Sequence, residues 1–120
     1  MFKIVNKNNH FFGLGIEKLA IIIFLCKGYQ IVAWRYKTPF GEIDLVVKKS
    51  NILIFVEVKS THHNLFNPEI AFRQNQIKRF FNAIEYFVKI NIQFVNLPRR
   101  LDLFEYKGYF SYKHHRNFIS

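Results

Sequence analysis

The sequence is poor in acid: 8 Asp and Glu residues stand against 18 Lys and Arg, for a formal net charge of +10. A surface that basic favours polyanions, because binding phosphates releases condensed counterions. Cysteine is nearly absent. A single Cys26 excludes an internal disulfide and any zinc site built from several thiolates, and it suits a reducing, cytoplasmic setting. Long hydrophobic runs are also missing. The unbroken apolar stretch Leu19 to Cys26 is far short of the ~20 residues that span a bilayer. Lys3, Lys7 and Lys18 precede it in the manner of a signal peptide, but Glu17-Lys18 interrupts the approach and no small-residue cleavage pattern follows. Leu25 before Cys26 is too large for a lipoprotein signal. The expectation is a cytoplasmic protein with no membrane partner.

What is present is apolar and aromatic. Half of the 120 residues are hydrophobic and 18% are aromatic, enough to bury a core without staples. With no internal repeat and no linker, the reading is a loose segment at 1–10 followed by a single domain over 11–120. From Phe11 to Lys27 the apolar residues Phe12, Ile16, Leu19, Ala20 and Ile23 recur at helical spacing, and Lys27-Gly28 is a stop signal. Strands are expected over Gln30–Lys37, Glu42–Lys48 and Ile52–Ser60, joined by Thr38-Pro39-Phe40-Gly41 and by a tight Ser50-Asn51 turn. Asn67-Pro68-Glu69 opens a second helix reaching about Lys89. Its expected buried face is Ile70, Ile77, Phe81, Ile84 and Val88, and Arg73, Gln74, Gln76, Lys78 and Arg79 make its polar, basic side. Shorter strands follow at Gln93–Val95 and Arg100–Tyr106, with a closing hairpin through Lys107-Gly108. The fold class is α/β.

The scarce acids are not scattered. Four of the 8, Glu17, Glu42, Asp44 and Glu57, fall at the candidate site, and the last three lie in two short motifs, Gly41-Glu42-Ile43-Asp44 and Phe55-Val56-Glu57-Val58-Lys59. A hairpin centred on Ser50-Asn51 sets Asp44 opposite Glu57 and Glu42 opposite Lys59. Side chains alternate faces along a strand, so Ile43, Leu45, Val47, Ile54, Val56 and Val58 form one apolar face. The other face carries the charges, with Val46, Leu53 and Phe55 beyond them. Directly opposed like charges destabilise a sheet. A shared proton or a bridging hard cation removes the penalty. Ordinary surface ion pairs, Glu42–Lys59 and Glu57–Lys59, are the competing reading.

These motifs resemble the signature of the small bacterial YraN-like proteins, a family of predicted nucleases. Their core is similar to the PD-(D/E)xK restriction-endonuclease-like fold, which includes archaeal Holliday-junction resolvases. Gly15-Ile16-Glu17-Lys18-Leu19-Ala20 resembles the family's first-helix motif, Gly28-Tyr29 its helix end, and Arg100-Leu101-Asp102-Leu103 a late strand motif. The resemblance implies an αβββαβ core with a mixed sheet flanked by helices. It also implies a metal-dependent endonuclease acting on DNA phosphodiesters, branched DNA included. Asp44, Glu57, Glu17 and the Val58 carbonyl match the Mg²⁺ (or Mn²⁺) ligands, Lys59 matches the catalytic lysine, and Glu42 takes a supporting place. By the same analogy the partner is nucleic acid, DNA in particular, and the chain is a homodimer. The basic helix side, Arg73, Gln74, Gln76, Lys78 and Arg79, is expected to contact phosphates. Two departures stand out: Ser60-Thr61 where an arginine is usual, and Gln76 at a position expected to be basic. A non-catalytic nucleic-acid-binding protein on the same fold is the alternative.

His62-His63 and His114-His115 invite a zinc reading, but adjacent strand residues face opposite ways, and surface histidines are expected. Arg100 is a candidate partner for Asp102. Cys26 is expected to be an inert core residue.

Overall fold

A computed structural model describes residues 8–60, 74–109 and 111–118, with side chains described over 15–60, 76–109 and 111–118. The elements run α1 (Asn8–Cys26), β1 (Gln30–Thr38), β2 (Gly41–Lys49), β3 (Ile52–Ser60), α2 (Gln74–Ile90), a 3-10 turn (Ile92–Phe94), β4 (Arg99–Gly108) and β5 (Ser111–His115). The five strands form one mixed sheet in the order β1-β2-β3-β4-β5, with β3 and β4 parallel and the other neighbours antiparallel. The expected αβββαβ order is present, with β5 added at the edge.

Local chemistry explains the boundaries. Gly28 takes φ 88°, the Tyr29 N–H reaches the Phe24 carbonyl and the Gly28 N–H the Leu25 carbonyl, which is the Schellman arrangement that ends a helix. The accompanying apolar contact is Phe24 against Tyr29, ring centroids 5.0 Å apart. Ser50 and Asn51, both at positive φ, make the two-residue turn between β2 and β3.

Both faces of the sheet are covered. On one, Ala20 and Phe24 of α1 pack on Leu45, Val47, Ile54, Val56 and Phe104. On the other, Phe80, Ala83, Ile84, Phe87 and Val88 of α2 pack on Ile43, Val46, Leu53 and Phe55. The β2–β3 register is the expected one, from Lys49↔Ile52 to Leu45↔Val56.

The structure corrects several expectations. Ile43 belongs to the α2 side and not with Leu45 and Val47. The change is matched in β1, where Arg35 adopts φ 54°. Trp34 therefore packs with Leu45 on the α1 side, while Tyr36, paired with Ile43, packs on the α2 side. The two strands change faces together at Arg35 and Asp44. Within α2 the buried face centres on Phe80, Ile84 and Phe87, which leaves Phe81 at its rim and exposed; Ile70 lies outside the described residues. The segment Gln93–Val95 is not a strand, since 3-10 hydrogen bonds tie Phe94 to Asn91 and Val95 to Ile92. Cys26 is exposed at the end of α1 and does not join the core. His114 and His115 are held on Asp102 and Glu105, each at 2.7 Å; His62 and His63 lie outside the described residues.

Candidate active site

The antiparallel ladder between β2 and β3 runs up to Leu45↔Val56, and at the next position Asp44 turns its carboxylate into the gap. Its Oδ2 accepts the Val58 N–H at 2.9 Å, taking the place of a backbone partner. On the far side β4 stays paired with β3 as far as Ser60↔Tyr106. Glu57, Val58 and Lys59 are thus held rigidly from one side while β2 parts from them on the other. The site sits in this fork.

Asp44 and Glu57 lie close enough for the charge of one to act on the other. Asp44 keeps some exposed surface, yet protein atoms crowd its carboxylate. Burial is the largest influence pushing its pKa well above the ordinary value. The Glu57 charge and a side-chain hydrogen bond with Glu57 push the same way, the Val58 N–H opposes them, and Glu17 adds a smaller upward push. Lys59 Nζ lies 3.4 Å from Glu57 Oε2, with both side chains only partly covered. The acid pair and the lysine expected from the sequence are therefore together.

The other two acids share one cation, Arg35. Glu17 on α1 is buried, and its Oε1 accepts from Trp34 Nε1 at 2.9 Å and from Arg35 Nη1 at 3.1 Å. Glu42 pairs with Arg35 Nη2 at 3.2 Å and not with Lys59. Arg35 is the residue that sequence reasoning missed. Its left-handed backbone aims a buried guanidinium between two carboxylates, a planar donor fork suited to carboxylates. The available signal was a cation between two aromatic residues, Trp34-Arg35-Tyr36, following the apolar run Ile31-Val32-Ala33.

A cavity of about 200 Å³ opens beside the acids, lined by Phe40, Gly41, Glu42, Glu57, Gln76, Arg79, Phe80 and Ala83. Gln76 and Arg79 thus face the site from α2, whereas Lys78 is exposed and absent from this lining. Arg73 and the Gln74 side chain lie outside what the structure describes.

Among the described residues no group of three or more Asp, Glu, His or Cys side chains gathers to hold a metal. The donor set that fits a divalent cation is the Asp44–Glu57 pair. It offers two oxygen ligands of like charge at one point, and Mg²⁺ typically uses one or two carboxylates with water and phosphate filling its other positions. Glu17 Oε1 is held by Trp34 and Arg35, and Asp44 Oδ2 accepts the Val58 N–H.

At the second end of the sheet Asp102 is fully buried and held by both Arg100 Nε and Nη2 at 2.9 Å, by His114 and by the Asn117 N–H. Burial pushes its pKa up, but the hydrogen bonds from His114, Arg100 and Asn117 and the Arg100 charge outweigh it and hold the carboxyl below its ordinary value. The expected Arg100–Asp102 pair is a structural anchor for β4 and β5.

The fold and site define an α/β protein with a mixed sheet and an acid pair and lysine at the carboxyl end of a central strand. Residues 16–105 match the Uncharacterised protein family UPF0102, and the chain belongs to that family. A UPF0102 protein of Ehrlichia ruminantium (strain Gardel) is 38% identical over 88 residues, 73% of this chain and 67% of the relative. One from Nitrobacter winogradskyi is 40% identical over 73 residues, 61% of each chain. A third, from Rhodopseudomonas palustris (strain BisB18), is 36% identical over 90 residues, 75% of this chain and 66% of the relative. The matched region thus spans about three fifths to two thirds of those relatives' lengths.

Proposed function

We propose that the chain is a metal-dependent endonuclease that hydrolyses DNA phosphodiester bonds, with Mg²⁺ or Mn²⁺ held by Asp44 and Glu57. One observation carries the reading. Two carboxylates, Asp44 and Glu57, interact at a strand fork, with Lys59 beside Glu57 and a cavity lined by Glu57. When bound, the cation supplies positive charge to a phosphoryl oxygen and lowers the pKa of a bound water. Lys59 orients the attacking water and neutralises charge developing on the phosphate. Arg35 keeps Glu17 and Glu42 in place as fixed negative groups around the pair. Arg79 and Gln76 face the incoming backbone across the cavity. The net charge of +10 draws a polyanion to the surface. The reading carries with it a cytoplasmic setting and, on two-armed substrates, a homodimer.

The engagement of Glu17 by Trp34 and Arg35 favours a second reading, a nucleic-acid-binding protein on the same fold without cleavage. A nicking assay on single-stranded, linear duplex and branched DNA with Mg²⁺ or Mn²⁺ separates the two. The nuclease cleaves, Asp44→Ala does not, and Lys59→Ala cleaves about 100-fold or more slowly. Salt-sensitive binding without cleavage in either metal supports the second reading. Variants that cleave as well as wild type contradict the assigned site.

A further inference from the structure

The wall of the cavity opposite α2 is the tip of the β1–β2 hairpin, and it carries an exposed aromatic ring. Phe40 leaves 43% of its surface in solvent. Among the described residues it stacks on no other ring. The tip that presents it is stiff. Thr38 Oγ1 accepts the Phe40 N–H at 3.1 Å and donates to the Gly41 carbonyl at 2.6 Å. Pro39 fixes its own φ, and Gly41 sits at φ 134°, where an L side chain is strained. The backbone of Phe40 is therefore pinned next to Glu42 and across the cavity from Arg79, which is exposed and forms no ion pair among the described residues.

This juxtaposition is an apolar ring on one wall, a cation on the other and an acid, Glu57, at the base. A nucleotide has the matching parts, a flat base and a charged phosphate. Aromatic side chains bind single strands by stacking on base faces, independent of sequence. In a duplex those faces are covered by neighbouring base pairs, so a ring can stack only on a nucleotide that is already unstacked. We infer that the cavity takes an unpaired nucleotide, its base against Phe40 and its phosphate on Arg79, so that single-stranded segments are preferred over continuous duplex. The inference rests on the nuclease reading for the purpose of the site, but not for its existence.

The test measures binding apart from cleavage. Fluorescence anisotropy of the full chain is recorded in EDTA with a labelled oligothymidylate and with a blunt duplex. Phe40→Ala and Phe40→Leu are expected to weaken the single-strand complex roughly ten-fold or more, the range of one base–aromatic stack, with duplex binding within two-fold of wild type. Phe40→Trp retains single-strand affinity, which separates ring stacking from apolar area. Thermal unfolding shows that each variant folds. Equal loss on single strand and duplex, or no loss on either, overturns the inference, as does a Phe40→Leu protein that binds like wild type. If cleavage is absent in every metal while the Phe40-dependent preference persists, the nuclease reading fails and the single-strand site stands. If cleavage depends on Asp44 and Lys59 but Phe40 is immaterial to binding, the reverse holds.

Discussion

The Val58 N–H donates to the Asp44 carboxylate across 2.9 Å, at the point where β2 leaves β3. This contact orients one acid of the pair, while continued pairing of β3 with β4 fixes the other. Asp44 is thereby held beside Glu57 against their mutual repulsion, with burial making the cost larger. Several consequences are measurable.

Asp44→Asn should stabilise the metal-free protein at neutral pH. The carboxyl of Asp44 titrates higher in the folded chain than in the unfolded chain, so the folded state holds its proton longer. Its favourable contribution is present below the ordinary carboxylate pKa and is lost as pH rises through the raised value. Urea midpoints of wild type and Asp44→Asn in EDTA should therefore converge near pH 4 and separate toward pH 7.5, with the variant more stable. A variant less stable than wild type at pH 7.5 would contradict the strained pair.

Asp102 behaves in the opposite sense. Its carboxyl is held below the ordinary value, so its contribution is present above the unfolded pKa and lost as pH falls through the depressed folded value. Asp102→Asn leaves Arg100 without its carboxylate in a part-buried setting and should cost about 3 kcal/mol in chemical unfolding at pH 7.

Arg35→Ala should cost about 3 kcal/mol or more, because buried Glu17 then loses its guanidinium. Arg35→Lys should recover only part, since one ammonium replaces a fork that spans Glu17 and Glu42. Equilibrium unfolding of the two variants checks the order.

Lys59→Ala should lower cleavage about 100-fold or more while leaving Mn²⁺ affinity near that of wild type. Loss of metal binding in this variant would assign Lys59 to holding the acid pair rather than to the reaction.

Alternation made much of this legible. The apolar set Leu45, Val47, Ile54 and Val56 against the charged set admitted one register, and that register brings Asp44 to Glu57. Arg100–Asp102 was legible from two residues of one strand. Arg35 was not. A left-handed residue within a strand needs no glycine when ion pairs hold it, so neither propensity nor period marks it. The displaced face of Ile43 and the pairing of Glu42 with Arg35 both lie beside that torsion. The exposure of Cys26 was hidden for a different reason: α1 is apolar nearly all round, so its buried side, Ile16, Ala20 and Phe24, is set by the sheet it packs on.

The central claim is a cation between Asp44 and Glu57. Its most direct measurement is anomalous diffraction from crystals of the wild-type chain equilibrated with Mn²⁺ at pH 7.5. The account predicts a peak within coordination distance of both carboxylates, absent in Asp44→Asn. A well-ordered fork with Asp44 still accepting the Val58 N–H and no peak at saturating Mn²⁺ would contradict it.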